Sequence, residues 1–232
     1  MYLFQCHLSG KKKQKGNQKH KLDILVSPLY YNTNSLNRNS YCSRAAKLGY
    51  LAYAFDYPSV SSSRSDDIER DTIFTEKDTL NGVIDYFKNQ NYVSSISLFG
   101  TSQGGLVSAL VANDRASDIL SLSLFYPAFN IPETMVKFYG EDSDDPYIQK
   151  LKDFDVFSNI GNFEKDVLIV HGTSDFIVPY SYSQHASEIY KNCELHLIEG
   201  ANHGFNKENM WYFGNYDEET WSYEEAFLQK HL

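Results

Sequence analysis

Cysteine is scarce in this chain: Cys6, Cys42 and Cys193 are odd in number and far apart. They offer neither a disulfide framework nor a zinc-ligand spacing, so a reducing, cytoplasmic setting is expected. No run of about 18 apolar residues is present, so no membrane-spanning helix is expected. The first ten residues lack a basic region followed by a long apolar run, so no secretory signal is expected. Positive charge is short too. The 21 Lys and Arg stand against 30 Asp and Glu, a net charge of −9, which argues against a nucleic-acid partner. Low-complexity tracts and internal repeats are absent. What remains is globular in composition, 42% hydrophobic and 15% aromatic over 232 residues. That size fits one domain, so residues 1–232 are read as a single unit.

Short apolar runs alternate with stretches of helical spacing. Strands are predicted at 2–8, 23–26, 50–57, 95–101, 120–126, 166–172 and 194–199. The strand at 23–26 is expected to stop at Ser27 and Pro28. Helices are predicted at 40–48 (closed by Gly49), 75–90, from Ser102 onward, 180–191 and 222–232. The basic stretch 11–21 reads as a solvated hairpin loop. Residues 32–39 and the serine-rich 59–67 read as loops. Strands that are continuous apolar runs, each followed by a helix, predict a mostly parallel sheet covered on both faces. Residues 128–165 break the rhythm with a long, acidic, aromatic excursion at a strand's carboxyl end. That is where a short lid insertion would sit.

One stretch gathers the chemistry. An apolar run ends in Gly100-Thr101-Ser102-Gln103-Gly104-Gly105 and continues as small and apolar residues at helical spacing. Gly-x-Ser-x-Gly alone is weak, arising by chance in roughly one chain in ten of this length. Between a strand and a helix it gains force. A sharp turn there presents the Ser102 hydroxyl, and the glycines at 100 and 104 avoid collision with neighbouring backbone. The helix N-terminus aims unpaired N–H groups at the same point.

A serine hydroxyl needs a general base, and the base needs an acid to orient it. In a parallel sheet the loops after successive strands converge on one edge. Asp175 follows the strand ending at Gly172, and His203 follows the strand ending near Glu199. The order Ser, Asp, His is the hydrolase order. His7, His20, His185, His196 and His231 are poorly placed, and His171 is expected to pack beneath the Asp175 turn. Asp153 and Asp155 are backups for Asp175. The oxyanion donors are expected to be the main-chain N–H groups of Gln103, next to the nucleophile, and of Leu29, in the turn after strand 23–26. Each such donor is worth on the order of 3 kcal/mol in the transition state.

These residues resemble the α/β-hydrolase family, and in particular its bacterial feruloyl/cinnamoyl esterase-like and serine aminopeptidase-like members. The likeness runs from about residue 24 to the C-terminus. It rests on Phe55-Asp56-Tyr57, on Val83-Ile84-Asp85-Tyr86, on the Ser102 turn, on His171-Gly172-Thr173-Ser174-Asp175 and on Leu197 through His203. The resemblance implies an α/β-hydrolase fold, hydrolysis without metal or cofactor, and an acyl-Ser102 intermediate with His203 as base and Asp175 as its orienter. Two places depart from the pattern. Ser27-Pro28-Leu29-Tyr30 replaces the usual His-Gly turn, and Pro58 with Ser59, Val60 and Ser61 replaces a glycine-rich loop. The expected activity is hydrolysis of small-molecule carboxylic esters with small or medium acyl groups. Two alternatives are a peptidase or amidase with the same triad, and a non-catalytic binding protein with an altered oxyanion turn. Substrate-binding residues and oligomeric state are not legible.

Overall fold

The computed structural model describes residues 22–29, 40–57, 71–205 and 216–232. The strand predicted at 2–8, the basic stretch 11–21 and the loops at 32–39 and 59–67 lie outside the described residues. Six strands form one parallel sheet in the order β2-β1-β3-β4-β5-β6. They are β1 (Leu22–Leu29), β2 (Leu51–Asp56), β3 (Val93–Thr101), β4 (Leu122–Phe125), β5 (Asp166–Gly172) and β6 (Asn192–Ile198). The helices are α1 (Ser40–Leu48), α2 (Ile73–Lys88), α3 (Ser102–Asp114), α4 (Ile131–Tyr139), α5 (Pro146–Lys152), α6 (Ser181–Ile189) and α7 (Asp217–Gln229). No helix among the described residues is long and apolar enough to cross a membrane.

Period-two alternation within the apolar strands divides the core between two faces. Ile96, Leu98, Leu122, Leu124, Val167 and Ile169 pack with α2, α3 and the 128–165 insertion. Phe99, Phe125, Leu168 and Val170 pack on the other side with Ala45 and Ala46 of α1 and Phe227 and Leu228 of α7. Helix α3 is buried from Gly104 to Asn113, which explains its small and apolar residues all round.

Several boundaries differ from the sequence reading. β1 does not stop at Ser27 and Pro28. It continues with Pro28 opposite Phe55 and Leu29 opposite Asp56. Pairing with β3 has already ended at Val26 opposite Leu98, so beyond that point β1 is bonded on one side only. A residue without an N–H is tolerated in such edge-like pairing. α7 begins at Asp217, more than a turn before residue 222, because Thr220 and Trp221 belong to its buried face. α2 begins at Ile73, where Thr72 and Thr75 form a reciprocal capping box.

The insertion is not a bare loop. It carries α4, α5 and a short 3-10 turn, Phe157–Asn159, and buries Phe129, Ile148, Leu151, Val156, Ile160 and Phe163 in the core.

Glu224 of α7 is fully buried against the sheet beside Ser123. Burial pushes its carboxyl pKa up to about 8, with the Ser123 hydroxyl pulling the other way. A carboxyl that binds its proton more tightly when folded contributes stability in full below its ordinary value of 4.5. That contribution is lost as pH rises through about 8. Glu224→Gln should therefore raise the melting temperature relative to wild type by an amount that grows from about pH 5 to about pH 9, measured by thermal melts across that range.

Candidate active site

Ser102 sits at the junction of β3 and α3 with φ 50°, a left-handed conformation that a non-glycine residue adopts only when the surroundings impose it. The turn is possible because Gly100 has no side chain. A Cβ there would lie 2.5 Å from the Gly104 carbonyl oxygen and 2.7 Å from Gly105 Cα. Behind the turn, the Ala128 N–H donates to the Ser102 carbonyl at 2.9 Å and ties the start of the insertion to the serine.

The two predicted partners arrive from β5 and β6. His203 Nε2 lies 3.0 Å from Ser102 Oγ, and His203 Nδ1 lies 2.7 Å from Asp175 Oδ2. Asp175 is buried, and its other oxygen accepts the Ile177 and Val178 N–H groups, both at 2.9 Å. Burial alone would raise its pKa. Hydrogen bonds from His171 and His203, the attraction of His203 and the Val178 N–H outweigh that and hold the carboxyl well below the usual range. A carboxylate at Nδ1 fixes the imidazole tautomer, leaving Nε2 as the acceptor facing the serine.

His171 packs beneath the Asp175 turn, as the sequence suggested, and also enters the network. Its Nε2 faces Asp175 Oδ2 at 3.1 Å and the Val178 carbonyl at 3.0 Å. Since both are acceptors, Nε2 carries the proton. Its Nδ1 lies 2.7 Å from Ser183 Oγ of α6. The hydrogen-bonded path thus runs Ser183, His171, Asp175, His203, Ser102.

The Asp175 and His203 turns are stapled together. The Ser174 N–H donates to the Ala201 carbonyl at 2.9 Å, Thr173 N–H to Ile198 O at 2.9 Å, and Gly200 N–H to Thr173 Oγ1 at 2.9 Å. This requires Gly172, where an added Cβ would stand 2.2 Å from the Ala201 oxygen.

The other candidates fall elsewhere. Asp155 bonds Ser158 and the Phe157 N–H, and Asp153 lines a cleft of the insertion, so neither takes the place beside His203. His196 stacks on Tyr223 at 3.8 Å, His185 meets Phe157 at 4.4 Å and His231 lies against Phe227 and Asp166. His7 and His20 are outside the described residues. Gln103 follows Ser102 in the first turn of α3. Leu29 is the last residue of β1, within the strand rather than in a turn after residue 26, at the sheet edge where β3 also ends.

Tyr126 was missed in the sequence, where it reads as the end of strand β4. It has φ 39°, and its ring meets His203 edge-on at 4.7 Å and Phe205 at 4.8 Å. Burial pushes its phenol up to about 12, moderated by a hydrogen bond with Thr101. The signal available was the Tyr-Pro step after an apolar strand. Phe176, directly after Asp175, is 81% exposed and Ile177 is 52% exposed. A cleft of about 660 Å³ lies among Phe129, Val136, Leu151, Phe154, Phe157 and Tyr182, and none of Ser102, Asp175 and His203 lines it. Of the other insertion aromatics, Phe138 and Tyr139 face solvent and Tyr147 packs on Phe74. Among the described residues no group of three or more His, Cys, Asp or Glu is placed to hold a metal ion.

A parallel sheet with helices on both faces, a serine at a strand–helix turn and an Asp and a His after later strands define an α/β-hydrolase. Residues 67–232 match the model of the prolyl oligopeptidase family, and the chain belongs to that family. Est1E from Butyrivibrio proteoclasticus, solved with ferulic acid bound, is 25% identical. Its match covers 97% of this chain and 94% of that one with a TM-score of 0.78. The monoacylglycerol lipase of Paleococcus ferrophilus shares the fold at 16% identity, covering 92% and 97% with a TM-score of 0.69. No curated protein matches the sequence significantly.

Gly172→Ala should pry the Asp175 and His203 turns apart. Misplacing catalytic groups by about 1 Å costs on the order of a hundredfold in rate. The expected result is a fall of about that size in the hydrolytic kcat, read by steady-state kinetics on protein whose circular dichroism shows it folded.

Proposed function

We propose that this protein is a serine hydrolase that cleaves small-molecule carboxylic esters with small or medium acyl groups. The observation that carries the reading is His203, 3.0 Å from Ser102 Oγ through one ring nitrogen and 2.7 Å from buried Asp175 through the other. Ser102 Oγ attacks the ester carbonyl as its proton passes to His203 Nε2. Asp175 keeps the imidazole oriented and stabilises the cation that forms. The carbonyl oxygen gains negative charge, and the main-chain N–H groups of Gln103 and Leu29 receive it. His203 then hands the proton to the departing alkoxide, leaving acyl-Ser102. Water, deprotonated by His203, attacks the acyl carbonyl, and His203 returns that proton to Ser102 Oγ as the acyl–oxygen bond breaks and the acid leaves. No cofactor takes part in this reading.

In this reading the insertion 128–165 serves as a cap, and exposed Phe176 and Ile177, directly after Asp175, offer apolar surface for the acyl or alcohol group. A reducing, cytoplasmic setting fits a chain whose three cysteines are scattered and odd in number. Burial and nearby Glu194 push the Cys193 thiol up to about 12, so it is not a reactive thiolate.

Similarity to Est1E over nearly the whole chain favours esters, and feruloyl esters belong among the substrates tried. Membership of a family described as prolyl oligopeptidase favours a second reading, cleavage of peptides or amides by the same residues. A panel of nitrophenyl and feruloyl esters against aminoacyl-nitroanilides separates them. Turnover confined to esters is expected, and faster turnover of the anilides would select the second reading. Ser102→Ala should abolish ester turnover without unfolding the chain, a loss of about 10⁶ in kcat in comparable triads. Full turnover in that variant would sink both readings. No turnover of any panel member by folded wild type would favour a binding protein.

A further inference from the structure

Gln103 follows the nucleophile, and its side chain is anchored away from the site. Its amide Nε2 donates to Glu76 Oε1 at 2.6 Å. Glu76 lies in the first turn of α2 and is fully buried. Its second oxygen, Oε2, has no partner among the described residues, and neither does the hydroxyl of Tyr57, fully buried just past β2. Gln103 from α3 bonds this carboxyl, and Asp71 before α2 and Tyr57 lie within electrostatic reach of it. Burial, with Asp71 adding to it and the Gln103 bond opposing, pushes the Glu76 pKa up to about 8. At neutral pH the group is therefore predominantly a protonated acid that accepts from Gln103 through its carbonyl oxygen.

A buried acid with one unpaired oxygen is a cost that an apolar residue of similar size would not carry. What Glu76 supplies in exchange is the bond to Gln103. The start of α3 needs such a tether. Its N-cap, Thr101, makes no side-chain hydrogen bond to the helix, and Ser102 beside it is held at φ 50°. We propose that Glu76 is a positioning residue for the oxyanion turn: through Gln103 Nε2 it holds the first turn of α3 against α2 and so fixes the Gln103 main-chain N–H beside Ser102. This role rests on the serine-hydrolase reading above.

The test compares Glu76→Leu, Glu76→Gln, Gln103→Leu and the Glu76→Leu/Gln103→Leu double variant with wild type on p-nitrophenyl acetate, with thermal melts of each. Glu76→Leu and Gln103→Leu should each lower kcat about tenfold while leaving KM within about twofold, because an oxyanion donor acts in the transition state and not on bound ester. The double variant should be no worse than either single one, since both remove the same bond. Glu76→Gln, whose carbonyl can accept the same bond, should stay within about threefold of wild type. A folded Glu76→Leu protein with wild-type kcat overturns the proposal. So does a loss carried by KM, or a Gln variant as impaired as the Leu variant. Should Glu76→Leu not fold, Gln103→Leu decides from the other side of the bond, and an unchanged kcat there overturns it. An active wild type with unaffected variants removes the Glu76 role alone. A wild type that turns over no ester or anilide removes the hydrolase reading and this role with it.

Discussion

Everything at this site depends on one buried carboxylate. Asp175 accepts His203 Nδ1 and His171 Nε2 at one oxygen and two main-chain N–H groups at the other. Those donors keep it ionised despite burial, and ionised it dictates the tautomer and tilt of His203. Remove the charge and both imidazoles lose their anchor. The close packing of the β5 and β6 ends through Gly172 brings the turn that carries His203 up to this carboxylate.

Around that anchor the fold places three strained residues. Ser102, Tyr126 and Phe205 all have positive φ, and each follows a strand or turn at the same edge of the sheet. Tyr126 and Phe205 pack edge-on against one another, and Tyr126 meets His203. Strain of this kind costs about 1–3 kcal/mol per residue and persists where packing over-determines it. From α2, Glu76 reaches the Ser102 turn through Gln103. A sheet whose strands reverse order between β1 and β3 opens its crevice at that edge, next to the carboxyl ends of both.

The strands and helices were legible because their signals are local. Asp166–Gly172 is built on the apolar run Val167–Val170, and Ser40–Leu48 is followed by Gly49, so both are legible with the bounds the structure has. The meeting of Ser102, Asp175 and His203 was legible too, since a parallel sheet sends successive loops to one edge. Pro28 misled because proline stops a strand only where its missing N–H would be needed, and the loss of β3 pairing beyond Val26 is a tertiary fact. Tyr126 and Glu76 were invisible for the same reason. A tyrosine ending an apolar strand and a glutamate in the first turn of a helix are ordinary residues until packing brings one to His203 and buries the other beside Gln103.

The most direct test of the account is whether His203 activates Ser102. Wild type and His203→Ala would be treated with a fluorophosphonate and the modified peptide identified by mass spectrometry. The account predicts rapid modification of wild type at Ser102 and a rate lower by several orders of magnitude in the folded His203→Ala protein. Equal labelling of the two proteins, or labelling of wild type at any residue but Ser102, would contradict it.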